Sequence, residues 1–543
     1  MSKGSTAALI AGAAVVVAGG AGAYWYFQGR TPAVESEMLA SISLIPEDAV
    51  MATFISTDAA AWEKLEQFGN PELQQLVAEQ LETFQQESLE SINVSYETDI
   101  KPWVDGLTVS VLPPKEVQDE EEPNLLILVG VNDQAKAQSF EEKLKGLEDV
   151  QVKDSDYKGV AITEYVQDDS PTYKAALGDY VAFSTEQQSI ELAIDSSQSK
   201  SSLESQTETA KALNALAQLE DPLVQVYIPN YAGLVSEFTA AADEAPLPPD
   251  LLQQLNQIQS VVAGFGVNDQ GVRVKAVTRL DPLANVPQGQ TSPDQVVNQF
   301  PTNTLALISG YGISQVWSSV VAETDNNPQV SDAVDAIRQQ TQTVGIDADQ
   351  DIFSWMSGEF GIGLIPATEG LVAQAGMGIA MVLDSGDPAT TNATFEKLNG
   401  LVGVWATVEQ TEINGKQATE WKLPTGEVIL GYGWVDDDTF FLGVGEPVIN
   451  AIAQPADDSL AKNEKFQAAI SSLPSKNDGY FYMDIAGLVD TIKQTPFGLQ
   501  LNSLPPEANA TVELFDSVAA TNSWPDNQTS EFDMLIRLTS VQQ

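Results

Sequence analysis

The stretch IPEDAVMATFISTDAAAW, residues 45–62, decides how the chain folds. Pro46 opens it. VMATFI (50–55) follows as an apolar, β-branched run of strand length. Ser56, Thr57 and Asp58 break that run, and an alanine-rich segment then carries a helical pattern to Trp62. The same order of residue types returns as FPTNTLALISGYGISQVW at 300–317. Pro46 and Trp62 fall on Pro301 and Trp317 at a single offset of 255.

Working outward, the match persists. DIKPWVDGLTVSVLP (99–113) answers DIFSWMSGEFGIGLIP (351–366), aligning Asp99, Ile100 and Trp103 with Asp351, Ile352 and Trp355. FEEKLKGL answers FEKLNGL, pairing Lys143 and Leu144 with Lys397 and Leu398. Thr163 and Glu164 answer Thr419 and Glu420, Gly233 answers Gly487, and Arg279 answers Arg537. Such ordered self-similarity is the mark of an internal repeat. It predicts two tandem copies, residues 31–281 and 301–543, joined by a Pro, Gly, Gln and Ser-rich linker at 282–300.

Within a copy, the runs VMATFI, LTVSVL, NLLILVGV, YVAFS, LVQVYI, SVVAGFGV and VRVKAVTRL read as strands. Helical patterns lie at 58–91, 133–147, 186–195, 205–219 and 248–258. Adjacent hairpins with interposed helices predict an α+β class, each copy a mostly antiparallel sheet with packed helices.

Residues 7–27, AALIAGAAVVVAGGAGAYWYF, are uncharged and long enough to span a bilayer. Lys3 precedes them within the short N-terminus 1–6, and Tyr24, Trp25, Tyr26 and Phe27 sit where an aromatic belt lies. The expectation is a single-pass anchor, with the folded part across the membrane from the cytoplasm. The alternative is a cleaved signal peptide, since Ala21-Gly22-Ala23 fits a small-x-small cleavage pattern.

This plan resembles a cyanobacterial, membrane-anchored family catalogued as domain of unknown function 3352. The likeness is carried by the N-terminal anchor, the IPEDAV entry, the FEEKL and YKG segments, and the repeat. The resemblance implies no activity and brings no site residues with it.

Composition limits the chemistry. The chain has 77 acids against 25 bases, a net charge of −52, and neither cysteine nor histidine. That balance offers no basic track for nucleic acid. Without Cys or His there are no disulfides, thiolate nucleophiles, Ser-His-Asp triads or imidazole metal ligands. No cofactor is expected. Carboxylates leave one candidate metal site, a calcium loop at Asp347, Asp349 and Asp351, although the EF-hand positions for Gly and a final acid hold Ile352 and Gly358.

Other motifs have simpler readings. Asp384-Ser385-Gly386 resembles an aspartic protease signature, but no second copy exists, so Asp384 reads as a helix N-cap or turn residue. QDEEEP (118–123) and Asp436-Asp437-Asp438 read as solvated hairpin tips. Ser197 to Lys200 and Ser459 to Lys462 match S-x-x-K without its companion motifs. The expectation is a non-enzymatic, membrane-anchored binding or assembly protein of the periplasm or thylakoid lumen, with other membrane or lumenal proteins as partners. The alternatives are a carrier of an apolar lipid, quinone or pigment, and a hydrolase using carboxylates alone.

Overall fold

β-Branched and aromatic residues crowd MATFI, LLILVGV and PLVQVYI, and each of these runs is a strand in the computed structural model of the chain. The structure describes residues 41–540 apart from 57–58, 69–95, 101, 114–123, 147–149, 168–169, 200, 206–218, 242–251, 253–254, 283, 285–288, 323, 325–327, 454–457 and 499–504. The expected anchor (7–27), the QDEEEP segment, Lys200 and most of the helices expected at 58–91 and 205–219 lie outside these residues. No helix among the described residues is long and apolar enough to cross a membrane.

The chain divides into two units, Met1–Leu283 with Ser540–Gln543, and Ala284–Thr539. Unit 1 holds β1 (Met51–Ile55), β2 (Val104–Val111), β3 (Leu125–Val131), β4 (Gln151–Tyr157), β5 (Val160–Gln167), β6 (Ser170–Leu177), β7 (Tyr180–Ser184), β8 (Pro222–Ile228), β9 (Ile258–Asn268) and β10 (Gly271–Leu280). They pair antiparallel in the order β4-β5-β6-β7-β3-β2-β1-β8-β9-β10.

Unit 2 holds β11 (Ala306–Tyr311), β12 (Glu359–Pro366), β13 (Met377–Asp384), β14 (Thr407–Ile413), β15 (Lys416–Lys422), β16 (Val428–Trp434), β17 (Thr439–Val444), β18 (Tyr480–Asp484), β19 (Phe515–Asp526) and β20 (Thr529–Leu538). Its antiparallel order is β14-β15-β16-β17-β13-β12-β11-β18-β19-β20, the order of unit 1 with each number raised by ten. The α+β class expected from the sequence is the class observed.

One face of each sheet packs a core. In unit 1, Leu126, Leu128, Ile162 and Ala182 from strands meet Ile190, Ala193 and Ile194 from the helix Gln187–Gln198. In unit 2, Ala380, Val382 and Phe441 meet Val448, Ile449 and Ile452 from the helix Glu446–Ile452. The opposite face of each sheet receives another helix, Gln134–Lys145 in unit 1 and Pro388–Val402 in unit 2.

Four sequence expectations are corrected. The linker does not extend to 300, because Val296, Val297 and Phe300 are buried in the core of unit 2. Of the two places expected for Asp384, helix N-cap or turn, the first is overturned: Asp384 ends β13 where the chain turns toward the helix, and Asp387 is the N-cap, accepting from the amides of Ala389 and Thr390. The helix expected to 258 stops short, since Ile258 already begins β9. β4 and β14 were not expected as strands, because QVKDSDY and TVEQTEI lack an apolar face to mark them. Their partners fix them instead, through tight hairpins with left-handed turn residues: Lys158 (φ 52°) with Gly159 (φ 85°), and Asn414 (φ 53°) with Gly415 (φ 82°).

Candidate functional site

The helix Gln134–Lys145 begins at Asp133, whose carboxylate accepts from the amide of Lys136. It ends on Gly146, with Lys143 and Lys145 in its last turn, where cations suit the helix dipole. The helix lies beside the strand face formed by β5, β6, β7 and β3. Alternation along β6 sends Ala175 and Leu177 into the core, and Lys174 and Ala176 to the side of the helix. On β7, Ala182 goes to the core while Val181 and Phe183 face the helix.

Helix and sheet do not close against each other. Between them lies a cleft of about 360 Å³, walled by Trp103, Phe140, Leu144, Val181 and Phe183. That size falls in the range of about 300–1,000 Å³ typical of small-molecule sites. Trp103 forms the end wall; its indole N–H donates to the Asp99 carbonyl at 2.7 Å and its ring sits 5.6 Å from Phe140.

Two charged residues line the cleft, Glu141 and Lys174. Their side chains form an ion pair and are 25 % and 14 % exposed, so the pair sits within apolar walls. Lys145 also reaches Glu141, at 2.9 Å, and the Tyr165 hydroxyl lies 3.5 Å from it. Burial opposes ionisation of Glu141, but the two ammonium groups outweigh it and hold the carboxyl below its usual range. Burial, reinforced by the Glu141 charge, pushes the Tyr165 phenol up, so it stays protonated.

The equivalent place in unit 2 is full. Thr419 lies opposite Tyr432, as Thr163 lies opposite Lys174. Trp434 lies opposite Phe440, as Ala176 lies opposite Val181. Counting from the paired lysines, Glu141 and Lys145 of unit 1 stand where unit 2 has Phe395 and Asn399. The unit 2 residues form one aromatic cluster: Phe395 is 4.4 Å from Tyr432 and 4.7 Å from Phe440, and Trp434 is 5.2 Å from Phe440. Asn399 donates to the Tyr432 hydroxyl at 2.7 Å and accepts from Trp421 at 2.8 Å. Ala176 and Val181 stand where unit 2 has the rings of Trp434 and Phe440, while Phe183 stands where unit 2 has Leu442, so unit 1 is depleted of bulk at the Ala176 end of this place.

The carboxylates read as a calcium loop turn to separate partners. Asp347 caps the π-helical turn Ala348–Phe353 by accepting from the Gln350 amide. Asp349 accepts from Arg338 at 2.8 and 3.1 Å and from the Trp317 indole at 2.7 Å. Asp351 pairs with Lys397 and accepts from the Asp347 amide. No group of three acids placed to hold a metal occurs among the described residues. Asp351 with Lys397 instead matches Asp99 with Lys143 of unit 1, an ion pair built from residues the self-comparison aligns.

The other sequence motifs take structural places. Asp436 accepts from the Thr439 amide in the β16–β17 turn. Ser197 donates to the Ile194 carbonyl within its helix, and Ser459 forms an isolated bridge with Pro301. Asp384 accepts from the Thr439 hydroxyl at 3.1 Å, and burial raises its pKa. Glu359 was not singled out in the sequence, yet it is fully buried. It accepts from the Ser292 hydroxyl and from the amides of Gln295 and Val296, so it closes the start of the short helix Val296–Gln299.

The model of a family described as a protein of unknown function (DUF3352) matches residues 9–538. No curated protein matches. Among solved structures, crystal form III of TP0453 is similar at 9 % identity and a TM-score of 0.25, over 45 % of this chain and 81 % of that one. Crystal form I of the same protein is similar at 8 % identity and a TM-score of 0.25, over 45 % and 80 %. Likeness at that level carries no argument about the site.

Proposed function

The chain belongs to the DUF3352 family, and from that premise we propose that it is a non-enzymatic, membrane-anchored binding protein whose unit 1 holds a small ligand. One observation carries the reading. The same place in the same strand order is occupied by a cluster of rings in unit 2 and left as a cleft in unit 1. A closed aromatic core is what packing alone favours. An opening that retains an ion pair on its apolar wall has the composition of a ligand site.

A binding role suits the chemistry better than catalysis does. Glu141 is ionised and engaged by two ammonium groups, so it is a poor general base at neutral pH. The buried Glu359 and the partly buried Asp384 already bond to backbone amides or hydroxyls that hold the fold.

The two units are best explained as tandem copies of one α+β ancestor. Support comes from the ordered sequence matches, the repeated strand order and the repeated Asp–Lys pair. On this reading unit 2 kept or acquired a filled core, and unit 1 carries the function. Residues 7–27 tether the chain, and the folded part faces the periplasm or the thylakoid lumen of a cyanobacterium.

Native mass spectrometry of the full-length protein, released from its own membranes, tests the binding role. The expected result is one small molecule per chain, lost in Ala176→Trp, which restores the bulk that unit 2 has at this place. A bare chain, or an adduct that survives Ala176→Trp, counts against it. Protease added to right-side-out vesicles tests the sidedness, and digestion only from the cytoplasmic face reverses it.

A further inference from the structure

The ligand-binding reading leaves the ligand's chemistry open, and the hydrogen bonds around Glu141 and Lys174 narrow it. We infer that the unit 1 cleft takes a small amphiphile with one anionic oxygen head group, its apolar body against the rings and its head on Lys174.

The two charged groups of the wall are unequally occupied. The Glu141 carboxylate is approached by Lys174, Lys145 and Tyr165. An ionised carboxylate only accepts, and this one already has three donors. The Lys174 ammonium has three N–H donors, and the described residues supply it one acceptor, Glu141. Lys174 lines the cleft, so its remaining donor capacity is within reach of whatever fills it. A cationic ammonium head would leave that capacity unused and a hydroxyl head accepts without charge, whereas a carboxylate, sulfonate or phosphate monoester supplies acceptors with matching charge.

Position supports the same choice. Lys174 occupies the strand place of Tyr432, whose hydroxyl accepts from Asn399 inside a sealed cluster. Unit 1 puts a partly buried cation there instead. A cation on an apolar wall is costly unless paired. Lys174 and Lys145 share the Glu141 carboxylate, and the charges of Asp154 and Glu142 also act on Lys145, so the preference for an anion rests on Lys174 itself. A further acid on this face, Asp154, is bonded by Thr163 and stands two strands from Lys174, about 9.5 Å by strand spacing.

The net charge of −52 does not override this local preference. It is spread over the whole chain, and salt screens exposed charges beyond about 8–10 Å. A head group bonded to Lys174 lies within one hydrogen bond of that cation, far inside the screening distance. The acidic surface slows the approach of anions and makes their binding rise with salt at low ionic strength. That salt response is opposite to the one a simple surface ion pair gives.

The apolar walls set the rest of the ligand. Trp103, Phe140, Leu144, Val181 and Phe183 present rings and branched aliphatics, with Gln134 and Gln138 at the helix N-terminal side. Such walls accept an alkyl chain or a flat ring system by apolar burial, which is not directional.

The test is a titration of the full-length protein in nanodiscs with three probes of equal chain length: decanoate, decan-1-ol and decylammonium. Binding is scored as the signal lost in Ala176→Trp, which removes partition into the bilayer. Decanoate is expected to bind one per chain, at least about tenfold tighter than decan-1-ol. Tenfold corresponds to about 1.4 kcal/mol, the low end for a hydrogen bond to a charged group. Lys174→Gln should reduce decanoate binding by a similar factor and leave decan-1-ol unchanged. That variant does not strand Glu141, which keeps Lys145. Equal binding of decanoate and decan-1-ol, both abolished by Ala176→Trp, overturns the anionic head and leaves the ligand cleft standing. Preference for decylammonium overturns it likewise. No Ala176→Trp-sensitive binding of any probe overturns the cleft itself.

Discussion

At the residue scale, matched residues do matched work in some places and not in others. Trp103 and Trp355 each donate their indole N–H to the carbonyl four residues back, at Asp99 and Asp351, and both are buried. Their pairing was legible in the sequence because the segments around them resemble each other. Trp62 and Trp317 are aligned too, yet one donates to the Ser56 carbonyl and the other to the Asp349 carboxylate. Sequence identity fixed the ring and not its partner. Glu359 escaped notice because a lone acid beside an apolar run carries no signal until its donors, 63 to 67 residues away, are known. Glu359→Ala leaves two amides and a hydroxyl without their acceptor and should cost about 3 kcal/mol, read from urea unfolding. A cost under about 0.5 kcal/mol, the level of an ordinary surface change, would remove it from the list of structural acids. Gly130→Ala is expected to cost about 3 kcal/mol. A Cβ there would lie 1.7 Å from the Asp105 carbonyl oxygen, at the bulge where the β2–β3 register shifts.

At the element scale, the strands that sequence patterning identified are the apolar ones. NLLILVGV became β3, buried along nearly its whole length, and LVQVYI became β8, with alternate residues buried. The unread strands include the polar edges β4 and β14. An edge strand faces water on both sides of its pleat, so its side chains need no period, and only the hairpin to β5 or β15 defines it. The cleft was invisible for a related reason. It is a difference between two helix–sheet contacts, and it needs the register of four strands before Ala176 and Trp434 can be compared. The self-comparison did hold the clue, because the aligned lysines Lys143 and Lys397 place Glu141 against Phe395. The prediction at this scale concerns exchange. Amides of β1, β2 and β3 should be the slowest in unit 1, and those of the β4–β5 hairpin the fastest among its strands. Hydrogen exchange with mass detection reads this, and a β4 protected as well as β2 would mean that the edge is covered.

At the scale of the whole molecule, charge governs the response to solvent. Burial raises the pKa of Glu359, Asp384, Asp294 and Asp478. A carboxyl raised in the fold favours the protonated state there, so stability increases as pH falls through its folded pKa. Asp349 beside Arg338, and Asp351 beside Lys397, are lowered. Their contribution is present above the unfolded pKa of about 4 and is lost as pH falls through the folded value. Repulsion among 77 acids acts in the same direction as the first group. The melting temperature should therefore rise from pH 8 to about pH 5, fall below about pH 4, and rise with salt at pH 7. A maximum at pH 8 in low salt would show that repulsion is not in control. Calcium or a chelator should leave the melting temperature unchanged, since Asp349 and Asp351 are already held by Arg338 and Lys397. A chelator-induced drop would restore the calcium reading of Asp347, Asp349 and Asp351.

The central claim is that one unit binds and its counterpart does not. Hydrogen exchange of the full-length protein with and without saturating decanoate measures that claim directly, because it reports on both units in one sample. The account predicts slower exchange in the helix Gln134–Lys145 and in β6 and β7, with no change in the helix Pro388–Val402 or in β16 and β17. Protection of the unit 2 elements alone, or equal protection of both sets, would contradict it.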